Sequence, residues 1–117
     1  MKKLIIMLSL TLSVTSHSQT LNGTATYYAG KHHGRKTASG TIYNKYDLTC
    51  AASTKFKFGT LLKVTNEANG KTVTVKVTDR GGAIKGNKLD LSQKAFESIA
   101  DLRRGFIKIL IEKVENN

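Results

Sequence analysis

The sequence contains no proline, no tryptophan and one cysteine, Cys50, in 117 residues. A single cysteine excludes a disulfide framework within the chain, and it also excludes a zinc cluster built from cysteines. Nucleic-acid binding is suggested by the positive charge alone, and without an extended platform of interleaved aromatic and basic residues it is not expected. Linkers, repeats and low-complexity tracts are lacking too, and the length therefore fits one small domain.

Acidic residues are scarce: 8 Asp and Glu stand against 19 Lys and Arg, which gives a formal net charge of +11. Hydrophobic residues at 39% and charged residues at 23% are close to globular values, so a folded core is expected despite this charge. With so few acids, each one at the end of a strand or helix is a candidate for chemistry.

The first 18 residues resemble a targeting segment rather than part of a fold. Met1-Lys2-Lys3 is a positive start, Leu4 to Val14 is a short apolar run, and Ser16-His17-Ser18 supplies small residues at the spacing of a cleavage site. We predict a signal peptide over residues 1–18, with an uncleaved anchor as the alternative. Residues 19–117 would then be one exported domain with a net charge of +9, located in the periplasm, the envelope or the medium and without an integral membrane segment.

The hydrophobic pattern of the exported part is mostly of period two, which is typical of strands. We predict strands over residues 24–28, 61–65, 73–78 and 106–114, with a hairpin turn over 67–70 that ends in Asn-Gly. One helix is expected between a capping Ser92 and a terminating Gly105, with Phe96, Ile99 and Leu102 at helical spacing. The pattern predicts a small, mainly β barrel with one helix packed on it.

Two acids lie where an ordered, apolar environment could raise a carboxyl pKa. Asp79 ends the strong strand that includes Val77, and Asp90 follows between Leu89 and Leu91. The alternatives are purely structural roles, in which Asp79 pairs with Arg80 or caps a turn and Asp90 caps the helix. Cys50 lies in a run of small and apolar residues, which favours burial over reactivity.

Seven short segments, in order and in register, resemble the rare lipoprotein A (RlpA) family of double-psi β-barrel proteins. They are Gly23 to Tyr28 (GTATYY), His33 to Gly40 (HGRKTASG), Phe58 to Thr60 (FGT), Leu62 to Asn66 (LKVTN), Asn69 to Lys71 (NGK), Val75 to Gly81 (VKVTDRG) and Leu89 to Ser92 (LDLS). The resemblance covers residues 19–117 almost entirely. It implies a six-stranded double-psi β-barrel with one short helix, a fold shared with expansins, and a groove that binds β-1,4-linked polysaccharide.

The resemblance also implies an activity, namely lytic transglycosylation of peptidoglycan glycan strands that have lost their stem peptides. It implies that Asp79 and Asp90 are the catalytic acids, and we assign the acid/base role to Asp90 and the stabilising role to Asp79. No cofactor and no metal are expected, and the protein is expected to be a monomer. The residues expected to bind substrate are Tyr27, Tyr28, His33, Arg35, Lys36, Ser39, Thr41, Tyr43 and Arg80.

The chain departs from the family pattern at three places. Most members carry Glu directly after Thr-Ala-Ser-Gly, where this chain has Thr41, and a His that falls here on Ala52 or Ser53. A Pro after Asp-Arg-Gly is replaced by Gly82. Two functions therefore stay open: an endolytic transglycosylase, or a non-catalytic polysaccharide-binding or wall-loosening module of the expansin type.

Overall fold

The computed structural model describes residues 19–115, and the expected signal peptide lies outside the described residues. Within this range the chain forms six strands, one α-helix and two short 3-10 helices. The strands are β1 (Leu21–Tyr27), β2 (Thr49–Ala51), β3 (Leu61–Asn66), β4 (Thr72–Asp79), β5 (Lys88–Leu91) and β6 (Ile107–Lys113); the helix α1 is Gln93–Ile99, and the 3-10 helices are Gly30–His32 and Leu102–Arg104.

The strands close into a barrel in the order β1-β5-β2-β4-β3-β6. Two neighbouring pairs are parallel, β1 with β5 and β2 with β4, and the other pairs are antiparallel. This closed, mixed, six-stranded barrel with one helix confirms the fold predicted from the sequence. No helix between residues 19 and 115 is long and apolar enough to cross a membrane.

Strict alternation along the long strands builds the barrel core. Val73, Val75 and Val77 of β4 are buried, while Thr74 and Lys76 between them are exposed. In β6, Ile107, Ile109 and Ile111 are buried in the same way. Burying each such side chain contributes about 1.5–3 kcal/mol, so the interior of the barrel is the main source of stability.

The strands predicted over 61–65, 73–78 and 106–114 are confirmed, with small changes at their ends. The first strand begins at Leu21 rather than at 24, because its early residues pair with β6. Strands β2 and β5 escaped prediction, because three and four residues are too few for a period to be read.

The helix begins as predicted and ends early. Ser92 Oγ accepts a hydrogen bond from the Ala95 N–H, which confirms it as the N-cap. The helix stops at Ile99 because Asn66 and Asn69 of the β3–β4 hairpin both donate to the Ile99 carbonyl. Leu102 therefore lies in the second 3-10 helix, which ends at Gly105 in the left-handed conformation, φ 66°.

Gly23 in β1 packs closely against Asn87, in the loop that precedes β5. A Cβ atom at this position would overlap the Asn87 carbonyl oxygen, which accepts the Thr24 N–H, and would also press on Ile111. The Asn87 side chain donates to the Asn22 carbonyl and fixes the same contact. Glycine is required here for close approach rather than for an unusual φ.

We predict that Gly23→Ala lowers the free energy of unfolding by about 3 kcal/mol, because backbone must move to admit the methyl group. The matched control is Gly30→Ala, where an added Cβ meets nothing within 4 Å. That control should stay within about 1 kcal/mol of the wild type. Urea unfolding followed by circular dichroism measures both, and equal stabilities for the two variants would contradict the close-packing interpretation.

Candidate functional site

A β-bulge between β2 and β4 determines which way Asp79 points. Cys50 pairs with Val77, but the next residue, Ala51, pairs with Asp79, so Thr78 is an extra residue on β4. Because directly paired residues share a face of the sheet, Asp79 joins Ala51 on the outside of the barrel. Without the extra residue, Asp79 would point into the core.

Asp90 reaches the same face from the other side of β2. Ala51 pairs with Asp90 of β5, whose neighbours Leu89 and Leu91 point inward and are fully buried. The two acids therefore flank Ala51 on strands two positions apart, which corresponds to Cα atoms about 10 Å apart. The structure thus brings together the two predicted catalytic residues.

Asp79 is fixed by three hydrogen-bond donors. Its Oδ1 accepts the Ala38 N–H at 2.8 Å and the Arg80 N–H at 2.9 Å, and its Oδ2 accepts the Tyr28 hydroxyl at 2.7 Å. Asp79 therefore does cap backbone N–H groups, as the turn-capping alternative expected. The other alternative, an ion pair with Arg80, is not what forms, because the Arg80 guanidinium lies instead over the Phe58 ring, 4.0 Å from its centroid.

Within the described residues, Asp90 is half-buried and accepts one side-chain hydrogen bond. Its Oδ1 accepts the Thr26 hydroxyl at 2.9 Å, across the β1–β5 pair. Burial raises the pKa of Asp90 above its ordinary value, against the opposing effects of the Thr26 hydrogen bond and the nearby His32 and Lys88. The alternative in which Asp90 caps the helix is wrong, since Ser92 does so.

Thr26, His32 and Lys88 were not predicted as part of the site. Thr26 and Lys88 face outward by strand alternation. Because β5 was not predicted from the sequence, its pairing with β1, which brings these two residues next to Asp90, was not predicted either. His32 belongs to the first 3-10 helix, and its ring meets the edge of Tyr28 with centroids 5.8 Å apart. The adjacent His32-His33 pair was the available signal, and only His33 was chosen from it.

Tyr28 and Tyr43, both predicted to bind substrate, pack against each other beneath Asp79. The rings of Tyr28 and Tyr43 stack with centroids 4.2 Å apart, and both side chains are buried. Burial, followed by the hydrogen bond to Asp79, raises the pKa of Tyr28. Tyr43 is held by the Gln93 N–H, which donates to its hydroxyl at 3.2 Å. The pair acts as a rigid support for Asp79.

Tyr27 and His33 lie apart from the acids. Because consecutive strand residues alternate, Tyr27 faces the helix, where it packs on Phe96 at 4.7 Å and donates to the Leu102 carbonyl. His33 is exposed, accepts the Lys45 N–H and meets the edge of Tyr46.

Thr41, one of the residues expected to bind substrate, belongs to a cluster of hydroxyls. Thr37, Ser39 and Thr41 hydroxyl oxygens lie 2.9–3.1 Å from one another. The Ala38 N–H between them donates to Asp79, so the cluster adjoins the acid pair. Arg35 and Lys36 of the same loop are exposed.

Within residues 19–115, no three His, Cys, Asp or Glu side chains converge as a metal site would require. Cys50 is fully buried in the core, as predicted. Burial raises its pKa to about 12, so its thiol does not serve as a nucleophile at the site.

The chain is similar to one family of proteins over most of its length. A family model described as lytic transglycolase matches residues 20–111. The probable endolytic peptidoglycan transglycosylase RlpA of Aquifex aeolicus is 47% identical over 87 residues, covering 74% of this chain and 38% of that protein. The endolytic peptidoglycan transglycosylase RlpA of Rickettsia felis is 41% identical over 105 residues, covering 87% of this chain and 46% of that protein. The chain thus spans less than half the length of these relatives.

Two solved structures with the same fold are a papain inhibitor and an expansin. Streptomyces papain inhibitor superposes with a TM-score of 0.71 at 27% identity, over 85% of this chain and 97% of that one. A mutant Clavibacter michiganensis expansin in complex with cellohexaose gives a TM-score of 0.67 at 26% identity, over 85% of this chain and 52% of that one.

The raised pKa of Asp90 predicts a pH-dependent effect of Asp90→Asn on stability. The folded state holds the Asp90 proton more tightly than the unfolded chain does, so wild-type stability falls as the pH rises from the unfolded to the folded pKa. We expect the variant to gain stability relative to the wild type as the pH rises above the unfolded aspartate pKa of about 3.9, with no further gain once the folded pKa has been passed. Urea unfolding at several pH values measures the difference.

Asp101→Asn is the matched control with the opposite sign. Arg103 lowers the pKa of Asp101 to about 2. The stability that Asp101 contributes is present above the unfolded pKa and is lost as the pH falls toward about 2. Parallel pH profiles for the two variants would show that the Asp90 environment has been misread.

Proposed function

The chain belongs to the RlpA-like family of double-psi β-barrel lytic transglycosylases, and from that premise we propose that it cleaves peptidoglycan glycan strands at the face shared by Asp79 and Asp90. One observation carries the proposal: two half-buried carboxyls flank Ala51 on one face in different environments. Three donors fix Asp79, whereas burial raises the pKa of Asp90. Carboxyls in contrasting environments are the usual basis for dividing catalytic roles.

Asp90 is the proposed general acid. A raised pKa keeps a larger fraction of this carboxyl protonated near neutral pH, so it can give its proton to the glycosidic oxygen as the bond to the anomeric carbon breaks. The resulting carboxylate then takes the proton of the muramic acid 6-hydroxyl. That oxygen bonds to the anomeric carbon and closes a 1,6-anhydro ring. No water is consumed, so no second carboxyl is needed to activate one.

Asp79 is the proposed electrostatic partner. The anomeric centre gains positive charge as the bond breaks, and a fixed carboxylate on the same face stabilises that charge. Its three hydrogen bonds hold it in place before substrate arrives, so little reorganisation is needed during the reaction. Thr26 would orient Asp90, since its hydroxyl donates to Oδ1.

Binding without cleavage is the second candidate function, and Thr41 favours it. A hydroxyl replaces a carboxyl that most relatives carry, and a hydroxyl is no acid near neutral pH. An expansin complex with cellohexaose shares the barrel, which supports an extended polysaccharide in the groove. Export through a signal peptide over residues 1–18 belongs to either proposal, as does action by a monomer.

We predict that purified protein releases 1,6-anhydro-muramic acid ends from glycan strands that lack stem peptides. Asp90→Asn should lower the initial rate by at least about 100-fold, because the proton donor is lost. Asp79→Asn should cause a smaller loss, since the acid remains. Product analysis by liquid chromatography and mass spectrometry measures the ends. Asp101→Asn, whose side chain pairs with Arg103 and contacts neither acid, should keep the wild-type rate.

The same variants separate the two candidate functions. If the wild type releases no anhydro ends where a known lytic transglycosylase does, cleavage is excluded. Cosedimentation of the wild type and both Asp→Asn variants with sacculi would then support binding alone.

A further inference from the structure

A basic recess opens beside Asp79, and the mechanism above makes no use of it. We define it by Lys55, Arg80 and Lys85, which line a cavity of about 640 Å³ together with Ser53 and the loop over 81–86. None of the residues lining it, all in the described part of the chain, is Asp or Glu. Three cations thus share a concave surface without a lining acid.

The Arg80 guanidinium is held in a fixed orientation, but no carboxylate among the described residues forms an ion pair with it. Its guanidinium stacks on Phe58, and it donates weakly to the carbonyls of Ala52 and Asp79, at 3.4 Å and 3.3 Å. The Asp79 carboxylate accepts the backbone N–H of Arg80 and not its guanidinium. A planar cation held in this way is suited to a bidentate contact with a carboxylate.

Two lysines add positive charge to the lining of the recess. Lys55 donates to the side-chain carbonyl of Asn87, a neutral group, and so keeps its charge uncompensated. Lys85 is exposed at the end of a tight turn in which the Ile84 N–H donates to the Gly81 carbonyl. Mutual repulsion of the cations would be relieved by a bound anion.

The far side of Asp79 is chemically different. Thr78 lines a second recess whose wall carries three exposed apolar side chains, Ile42, Tyr46 and Leu48, at 58%, 66% and 43% exposure. This recess also carries Asp47 and Lys76, so its lining includes both signs of charge. The charged side chains that line the basic recess are all cations.

We infer that the basic recess is a subsite for a carboxylate carried on the sugar ring, namely the lactyl carboxylate of muramic acid. The inference rests on the proposed function for the identity of the glycan, but not on cleavage. The other sugar of the strand lacks this acid, so the contact would fix the register of the strand across Asp79 and Asp90. A carboxyl converted to an amide would lose it.

Binding to the cleavage-deficient Asp90→Asn protein tests the subsite. The ligands are soluble glycan strands without stem peptides, the same strands with every lactyl carboxyl converted to a methylamide, and a chitin oligosaccharide of matched length. We expect the carboxylate strand to bind about tenfold more tightly than the methylamide strand by calorimetry. The preference should shrink as salt is raised.

Lys85→Gln and Arg80→Gln, each in the Asp90→Asn background, should reduce the preference for the carboxylate strand. Lys85→Gln provides the cleaner test, because Arg80 also packs on Phe58 and its loss can disturb the fold. Lys71→Gln removes the same charge from the β3–β4 turn and should leave the preference unchanged.

Equal affinity for the carboxylate and methylamide strands would overturn the subsite, whatever the cleavage assay gives. Tighter binding of poly(glycerol phosphate), lost in Lys85→Gln, would overturn it too, because the cations would then serve a phosphodiester polymer. A retained carboxylate preference in a wild type that releases no anhydro ends would instead refute cleavage and leave the subsite standing.

Discussion

The register shift between β2 and β4 is the constraint on which the candidate site depends. One extra residue, Thr78, lets Ala51 face Asp79 instead of Thr78, and this turns a carboxyl from the core to the surface. Ala51 faces Asp90 on its other side, so a three-residue strand sets the distance between the two acids. A bulge of this kind locally disrupts the ladder but re-aims a side chain, and such features recur beside active sites.

The two carboxyls differ because their surroundings in the folded chain differ. Asp79 lies at a strand end, where free backbone N–H groups and a buried tyrosine hydroxyl can reach it. Asp90 lies within β5 between two core leucines, where one threonine hydroxyl is its donor and burial opposes its charge. Keeping such a carboxyl costs stability, as is common where activity and stability compete.

Strong periodicity made most of the fold predictable. The alternating valines and isoleucines of β4 and β6 indicated their strands, and Ser92 identified the start of the helix. Strands β2 and β5 were too short for any period, and they are the strands that carry Ala51 and Asp90. The scarcity of acids and their positions singled out Asp79 and Asp90, and the resemblance to a family supplied their roles. No sequence pattern could show that Tyr27 faces the helix while Tyr28 faces the site, since that depends on the β1–β5 register.

The central claim is that burial holds the Asp90 carboxyl in its protonated form to a higher pH than a solvated aspartate. Carbon-13 NMR of the side-chain carboxyl carbons, with Asp90 assigned by comparison with Asp90→Asn, measures this directly as the pH is varied. We predict a titration midpoint for Asp90 above the ordinary value of about 3.9. A midpoint at or below that value would contradict the claim, because burial would then not favour the protonated form of Asp90.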